Sequence, residues 1–217
     1  MKRQEPWSKS LSGVKDPGKV PYVIGPKIGH RLDPVIISLC RFIFRSKAIS
    51  PNTISITGTL FGFLCAFLIF FEHPVLGAVS LLIAGFLDIL DGAVARTQGR
   101  VTRFGGFFDS VLDRYTDLSV MGAIVLVYVR HNEMHHALIG LVAVIGTALI
   151  PYARARAEAA SLSCKTGLLE RPERTALILV GLFIPFLLNY IVITLAVLTH
   201  VTVIQRIVHV WKQTRGE

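Results

Sequence analysis

Residues 88–113 read DILDGAVARTQGRVTRFGGFFDSVLD, and four of them are aspartates. Asp88 and Asp91 are three residues apart, and Asp109 and Asp113 are four apart. On helices, each pair projects from one face. If the first helix runs inward and the next outward, the two acidic faces meet at similar depth. Bare carboxylates near a membrane boundary cost free energy and repel one another, so this stretch predicts a compensating positive charge between two neighbouring helices.

The sequence around this stretch is typical of an integral membrane protein. Of its 217 residues 52% are hydrophobic and only 17% charged, which is too apolar for an ordinary soluble domain. We predict an all-α integral membrane fold with six transmembrane helices, because six segments can cross about 30 Å of hydrocarbon. These segments are 52–71, 76–96, 106–129, 136–158, 173–188 and 190–211, with the boundary near Asn189.

The chain divides into three parts by composition. Residues 1–28 are rich in Lys, Pro, Gly and Ser without apolar periodicity, which predicts a flexible polar N-terminal tail. Over residues 29–46, apolar side chains recur at three- and four-residue steps between arginines, which predicts a juxtamembrane amphipathic helix on the membrane surface. Residues 47–217 form the predicted six-helix membrane domain.

The basic residues indicate the orientation. The formal net charge is +9, and six spans would place every Lys and Arg except Arg114 and Arg130 on one side. By the positive-inside rule that side is cytoplasmic, so we expect both termini and the aspartates to face the cytoplasm. The basic excess then largely reflects topology, which argues against a nucleic-acid partner.

Carboxylate oxygens are the ligands that hard divalent cations prefer. Four acids converging from two helices suit two such cations, Mg²⁺ or Mn²⁺. The alternative is that the aspartates form structural salt bridges with Arg96, Arg103 or Arg114. Gly92 and Gly105 border the acids without side chains, which leaves room for a phosphorylated group.

Written as a pattern, residues 88–113 are D-x2-D-G-x2-A-R-x8-G-x3-D-x3-D. With these fixed positions the chain resembles the CDP-alcohol phosphotransferase family, over residues 50–211. The resemblance implies six transmembrane helices after a juxtamembrane helix, usually as a homodimer. It also implies an enzyme that uses two divalent cations to transfer a phosphate-linked group from a CDP-activated lipid to an alcohol.

The resemblance assigns roles position by position. It implies that Asp88, Asp91, Asp109 and Asp113 hold the metals, and that Asp113 is also the catalytic general base. The implied contacts to the CDP-lipid are Asn52, Thr53, Ile54, Ser55, Gly92, Arg96 and Thr102.

Arginines near the same membrane face could form a pocket for a second phosphate, that of the acceptor. They are Arg154, Arg156, Arg171, Arg174 and Arg206. Stretches 151–158 and 170–174 resemble phosphatidylinositol phosphate synthases within the family, which implies CDP-diacylglycerol as donor and inositol 1-phosphate as acceptor. Pro151 and Arg154 stand where serine and lysine are usual, so glycerol 3-phosphate, or another reaction of the family, stays open as an alternative.

Two other functional classes compete. An ion-coupled transporter is possible in principle because acids within spans often mark ion paths, but the sequence shows no inverted repeat and its acids lie near one face. A scaffold that binds anionic lipid through its arginines would show no turnover.

Overall fold

The computed structural model describes residues 50–97, 99, 101–164 and 166–215, and regular structure in this part of the chain is entirely helical. The tail predicted over 1–28 and the juxtamembrane helix predicted over 29–46 lie outside the described residues. The α-helices are α1 (Pro51–Phe70), α2 (Pro74–Thr97), α3 (Arg103–Arg130), α4 (Met134–Ala159), α5 (Arg171–Phe183) and α6 (Leu188–Thr214).

Four segments are long and apolar enough to cross a membrane: Pro51–Phe70, Pro74–Arg96, Met134–Ala159 and Pro185–Thr214. The chain is therefore a multi-pass membrane protein, and the predicted all-α integral membrane fold is confirmed at this level. The other two predicted spans correspond to α3 and α5. Helix α3 is long enough but carries several charged residues, and α5 has only 13 residues.

The break between the last two helices differs from the prediction. We expected it near Asn189, but α5 ends at Phe183 and a 3-10 turn, Pro185–Leu187, leads into α6. Pro185 has no backbone N–H, and its ring clashes with the preceding helical turn. The apolar residues on both sides hide this interruption from a hydropathy pattern.

The helices contact one another in a closed ring, in the order α1, α2, α5, α6, α4, α3. The main core cluster includes the fully buried side chains of Cys65, Met121, Ile124, Leu182 and Leu195. This arrangement brings the C-terminal end of α2 close to the N-terminal ends of α3 and α5, where most of the predicted site residues lie.

At the opposite end of the ring, two tight turns are joined to each other. Glu72 in the α1–α2 turn and Asn132 in the α3–α4 turn have positive φ angles of 62° and 59°. Arg130 donates a hydrogen bond to the Phe70 carbonyl oxygen at 2.9 Å and also pairs with the Glu72 carboxylate. The two helical hairpins are therefore linked at the end remote from the aspartates.

Candidate metal and phosphate site

Three aspartates converge where α2 ends and α3 begins. Asp88, Asp91 and Asp109 each offer a carboxylate oxygen, and these oxygens all lie within 4.8 Å of one another. Asp91 is buried, with 6% of its surface exposed, and the other two are half-buried. Spacing on two antiparallel helices predicted this convergence, and the structure brings together three of the four expected metal ligands.

The start of α1 contacts this cluster directly. Ser55 Oγ donates a hydrogen bond to Asp91 Oδ2 at 2.5 Å. Ile54, in contrast, is 4% exposed and packs with Leu90, Ala93 and Val94, so its side chain belongs to a small core cluster.

The short connection between α2 and α3 is fixed by a helix cap. The hydroxyl of Thr102 accepts a hydrogen bond from the Gly105 backbone N–H at 2.9 Å, which is typical of a threonine N-cap. A Cβ at Gly105 would lie 3.0 Å from Thr102 Oγ1 and 3.7 Å from Asn52 Oδ1. Asn52, Thr102 and Gly105 therefore meet at one corner of the site, beside the exposed Thr53.

Gly92 and Arg96 lie one turn apart at the end of α2. A Cβ at Gly92 would be 3.2 Å from Arg96 Nη1, so the arginine side chain lies over the glycine. Arg96 is exposed. Most of the residues predicted to bind the CDP-lipid thus surround the aspartates from α1, α2 and the α3 cap, and their role in binding stays a prediction.

Arg171, the first residue of α5, joins the two acidic helices. Its Nη1 lies 2.9 Å from Asp88 Oδ2, and its Nη2 lies 2.8 Å from Asp113 Oδ1. Its Nε is buried, 3.6 Å from Asp117 Oδ1, and has no hydrogen-bond partner among the described residues. The predicted fourth metal ligand, Asp113, thus pairs with an arginine one helical turn beyond Asp109.

Asp117 is a site residue that the sequence pattern did not include. It accepts a hydrogen bond from Arg174 Nη2 at 3.0 Å, and Arg174 is only 4% exposed. Its position in the sequence does indicate a supporting role, because Asp109, Asp113 and Asp117 follow one another at four-residue steps on a single helix face.

The remaining predicted arginines have different partners. Arg206 is 3% exposed, and it donates to the Thr166 carbonyl oxygen at 3.0 Å and to the Ile150 carbonyl oxygen. Arg154 Nε lies 2.9 Å from Glu158 Oε1, and Arg156 is exposed. Arg206 is within electrostatic range of Arg154 and Arg174. Arg154, Arg171 and Arg174 thus have acidic partners and Arg206 has backbone partners, and the acceptor-phosphate pocket stays a prediction.

A cavity of about 430 Å³ opens beside the aspartates, between α1, α2, α3 and α5. Its polar lining includes Ser55, the aspartates and Arg171, and its apolar lining includes Leu81, Leu82, Phe86, Leu112 and Leu179. A diphosphate fits the chemistry of the polar lining, and a hydrocarbon chain fits that of the apolar lining.

The donor set fits hard divalent cations. The clustered donors are all carboxylate oxygens, which suit Mg²⁺ or Mn²⁺ rather than a metal that prefers sulfur or imidazole. Three clustered carboxylates and the nearby Asp113 also carry more negative charge than Arg171 alone compensates. The site can therefore attract cations to the side of the cavity, whose lining suits both polar and apolar groups.

Comparison with known proteins agrees with this chemistry. The model of the CDP-alcohol phosphatidyltransferase family matches residues 48–205. The archaetidylinositol phosphate synthase of Methanothermobacter thermautotrophicus is 39% identical over 146 residues, 65% of this chain and 72% of that protein. The protein of the same name from Pyrococcus horikoshii is 34% identical over 188 residues, 85% of this chain and 93% of that protein.

Solved structures of Mycobacterium tuberculosis phosphatidylinositol phosphate synthase have the same fold. The structure with CDP-DAG bound superposes with a TM-score of 0.73 at 29% identity, covering 84% of this chain and 94% of that one. The structure in complex with manganese and citrate gives a TM-score of 0.74 at 30% identity, covering 82% of this chain and 88% of that one.

Proposed function

The chain belongs to the CDP-alcohol phosphatidyltransferase family, and from that premise we propose that it transfers the phosphatidyl group of CDP-diacylglycerol to inositol 1-phosphate. The products are phosphatidylinositol phosphate and CMP. The observation that carries the proposal is the convergence of Asp88, Asp91 and Asp109 in the wall of a cavity whose lining is otherwise largely apolar. A CDP-linked lipid has the two parts that this cavity matches.

The relatives support both substrates. The mycobacterial synthase was solved with CDP-DAG bound, which supports CDP-diacylglycerol as the donor. The names of the archaeal and mycobacterial relatives share an inositol phosphate product, which supports inositol 1-phosphate as the acceptor. Glycerol 3-phosphate is the second candidate, because Pro151 and Arg154 depart from the usual residues and Arg154 pairs with Glu158.

The cofactors are divalent cations, Mg²⁺ or Mn²⁺, and we propose two of them. Asp88, Asp91 and Asp109 would hold them together with Asp113. The manganese complex of the mycobacterial relative supports this assignment. When bound, the cations would neutralise the negative charge that builds on the diphosphate and on the departing CMP.

The chain's own residues would position the reactants and move one proton. Asn52, Thr53, Ser55, Gly92, Arg96 and Thr102, with the backbone at Ile54, would surround the CDP group. Asp113 would accept the proton of the acceptor hydroxyl, whose oxygen forms a bond to the β-phosphorus. The bond between that phosphorus and the oxygen retained by CMP breaks. Arg154, Arg156, Arg171, Arg174 and Arg206 would hold the acceptor phosphate.

We propose that all six helices cross the membrane, with the aspartates and both termini on the cytoplasmic side. Two charged residues in the middle of α3 face a neighbouring helix, since Asp113 and Asp117 contact arginines of α5. Charges that are paired inside a bundle are compatible with a transmembrane helix. In this arrangement residues 47–217 would form the membrane domain. The family resemblance supports a homodimer.

A direct assay tests the proposed function. Purified protein in detergent is supplied with Mn²⁺, CDP-diacylglycerol and either inositol 1-phosphate or glycerol 3-phosphate, and both CMP and the lipid product are quantified. We expect CMP release with inositol 1-phosphate and a product whose mass equals phosphatidylinositol phosphate. Faster turnover with glycerol 3-phosphate would favour the second candidate. No CMP with either acceptor would contradict both proposed acceptors and leave another reaction of the family as the alternative.

A further inference from the structure

We propose that Arg171 and a divalent cation compete for Asp88 and Asp113, so that cation binding moves the Arg171 guanidinium off these carboxylates and towards the acceptor phosphate. This inference rests on the proposed function, because it concerns the same cations and the same acceptor. It adds an order of events: the cation binds first, and the phosphorylated acceptor binds afterwards.

Arg171 contacts two of the carboxylates that are expected to bind the cations. Arg171 bonds Asp88 Oδ2 at 2.9 Å and Asp113 Oδ1 at 2.8 Å, and both carboxylates are expected cation ligands. A guanidinium and a divalent cation on the same two carboxylates would repel each other strongly, because like charges at such short range interact unfavourably in a partly buried site. The two therefore exclude each other, at least in the positions that these contacts define.

One nitrogen of Arg171 is left unsatisfied in the described part of the chain, although two others bond Asp88 and Asp113. Its side chain is 29% exposed, and its Nε is buried without a hydrogen-bond partner among the described residues. A buried donor left unsatisfied costs free energy, which lowers the cost of moving this side chain. Arg171 is also the first residue of α5, directly after the connection from α4.

Departure of Arg171 leaves no unpaired acid. Asp117 keeps Arg174, whose Nη2 lies 3.0 Å from Asp117 Oδ2 and which is 4% exposed. Asp88 and Asp113 would exchange the singly charged Arg171 guanidinium for a doubly charged metal ion. Asp117 and Arg174 thus remain paired, whereas the positive charge of Arg171 can be replaced by a divalent cation.

The exchange also affects the proposed base. While Arg171 Nη2 occupies Asp113 Oδ1, that oxygen already accepts a charged hydrogen bond and is a poor acceptor for the substrate proton. Moving the guanidinium from Asp113 to the acceptor phosphate would leave one Asp113 oxygen for the cation and the other for the proton, and would place the acceptor hydroxyl nearby. Arg171 is then a positioning residue, and the position of its guanidinium depends on whether a cation is bound at the aspartates.

The test is a Mn²⁺ titration by isothermal calorimetry of the full-length protein in detergent, without donor or acceptor. Arg171→Gln removes the competing charge while keeping a polar side chain of similar reach. We expect Mn²⁺ to bind this variant at least about 5-fold more tightly than the unmodified chain. Unchanged or weaker Mn²⁺ binding would overturn the proposal.

Arg114→Gln is the matched control for general electrostatics. Arg114 is within electrostatic range of Asp113 and Asp117, yet it forms no ion pair with Asp88 or Asp113 among the described residues. We expect its Mn²⁺ affinity to change less than 2-fold. If Arg114→Gln raised the Mn²⁺ affinity as much as Arg171→Gln does, the loss of any nearby positive charge would explain both results. That outcome would also overturn the proposed competition between Arg171 and the cation.

If Arg171→Gln does not fold, Arg171→Lys gives a second measurement. Lysine keeps one charge but cannot span two carboxylates as a guanidinium does, so we expect an intermediate rise in Mn²⁺ affinity, about 2-fold. Affinity at or below that of the unmodified chain would again contradict exchange. Failure of the proposed function would instead appear as absence of CMP release by the unmodified protein, whatever the Mn²⁺ affinities of the variants.

Discussion

Ser55 and Asp91 are joined by a hydrogen bond of 2.5 Å between Oγ and Oδ2, although they lie on different helices. Asp91 is the most buried member of the aspartate cluster, so it depends on this donor more than its neighbours do. The bond fixes the position of one carboxylate oxygen. The start of α1 therefore controls the orientation of an expected cation ligand on α2.

Replacing Ser55 with alanine should weaken cation binding. Loss of a hydrogen bond that orients a ligand typically lowers metal affinity by about 10- to 100-fold, and we expect Ser55→Ala to bind Mn²⁺ about 10-fold more weakly. Calorimetric titration measures this. Thr57→Ala is the control, because the Thr57 hydroxyl bonds only to the Thr53 carbonyl oxygen within α1. Equal affinities for the two variants would contradict an orienting role for Ser55.

Replacing Asp113 with asparagine should abolish transfer while largely sparing the binding of Mn²⁺ and CDP-diacylglycerol. The three clustered aspartates stay in place and asparagine keeps one oxygen that can ligate a cation, so cation binding is largely retained. Asparagine cannot accept the acceptor's proton, however, and losing a general base lowers rates by about 10²- to 10⁴-fold. CMP release measures the rate, and titrations with Mn²⁺ and donor lipid check binding. Near-normal turnover in Asp113→Asn would refute its assignment as the base.

Replacing Arg174 with alanine should raise the KM for the acceptor far more than for the donor. Equal effects on both would count against an acceptor-phosphate role. The change also removes one partner of Asp117, and breaking a buried pair destabilises a protein by up to about 3–5 kcal/mol, reduced here because Arg171 lies near Asp117 as well. Adding Asp117→Asn should recover thermal stability in detergent without recovering the acceptor KM.

Replacing Gly62 with alanine should destabilise the fold. A Cβ at Gly62 would lie 2.5 Å from Thr116 Cγ2, so α1 and α3 would have to separate, and such overpacking costs about 1–3 kcal/mol. Gly122→Ala is the matched control, since a Cβ there meets nothing within 4 Å. Thermal unfolding in detergent should show a lower Tm for Gly62→Ala only. An equal Tm for both variants would mean that this close approach is not required.

Removing divalent cations should stop the reaction. After chelation with EDTA we expect no measurable CMP release, and we expect Mg²⁺ or Mn²⁺ to restore it, because the clustered carboxylates offer only oxygen ligands. Undiminished turnover after complete chelation would exclude metal-assisted transfer at this site.

The sequence predicted the helices and the aspartate cluster because both follow from local spacing. Apolar runs of membrane length set the helices, and intervals of three and four residues placed Asp88, Asp91 and Asp109 on facing surfaces. The break at Pro185–Leu187 was misplaced because apolar residues continue through it. A proline within an apolar run was the overlooked signal.

The arginine contacts were not predictable in the same way. Arg171 and Arg206 lie in similarly basic stretches of sequence, yet one pairs with aspartates and the other donates to backbone carbonyls. Which of these happens depends on how the segment between α4 and α5 folds back onto α6, a tertiary feature without periodicity. Sequence spacing therefore identified the acids of the site more completely than their partners.

The link between Arg130, Phe70 and Glu72 has a mechanical consequence for the other end of the bundle. The α1–α2 and α3–α4 hairpins are fastened together there, whereas their opposite ends carry the aspartates and border the cavity. When a bulky lipid headgroup enters the cavity, we expect the two hairpins to move apart more at the aspartate end than at this linked end. The largest side-chain displacements would then occur beside the aspartates, and the smallest beside Arg130.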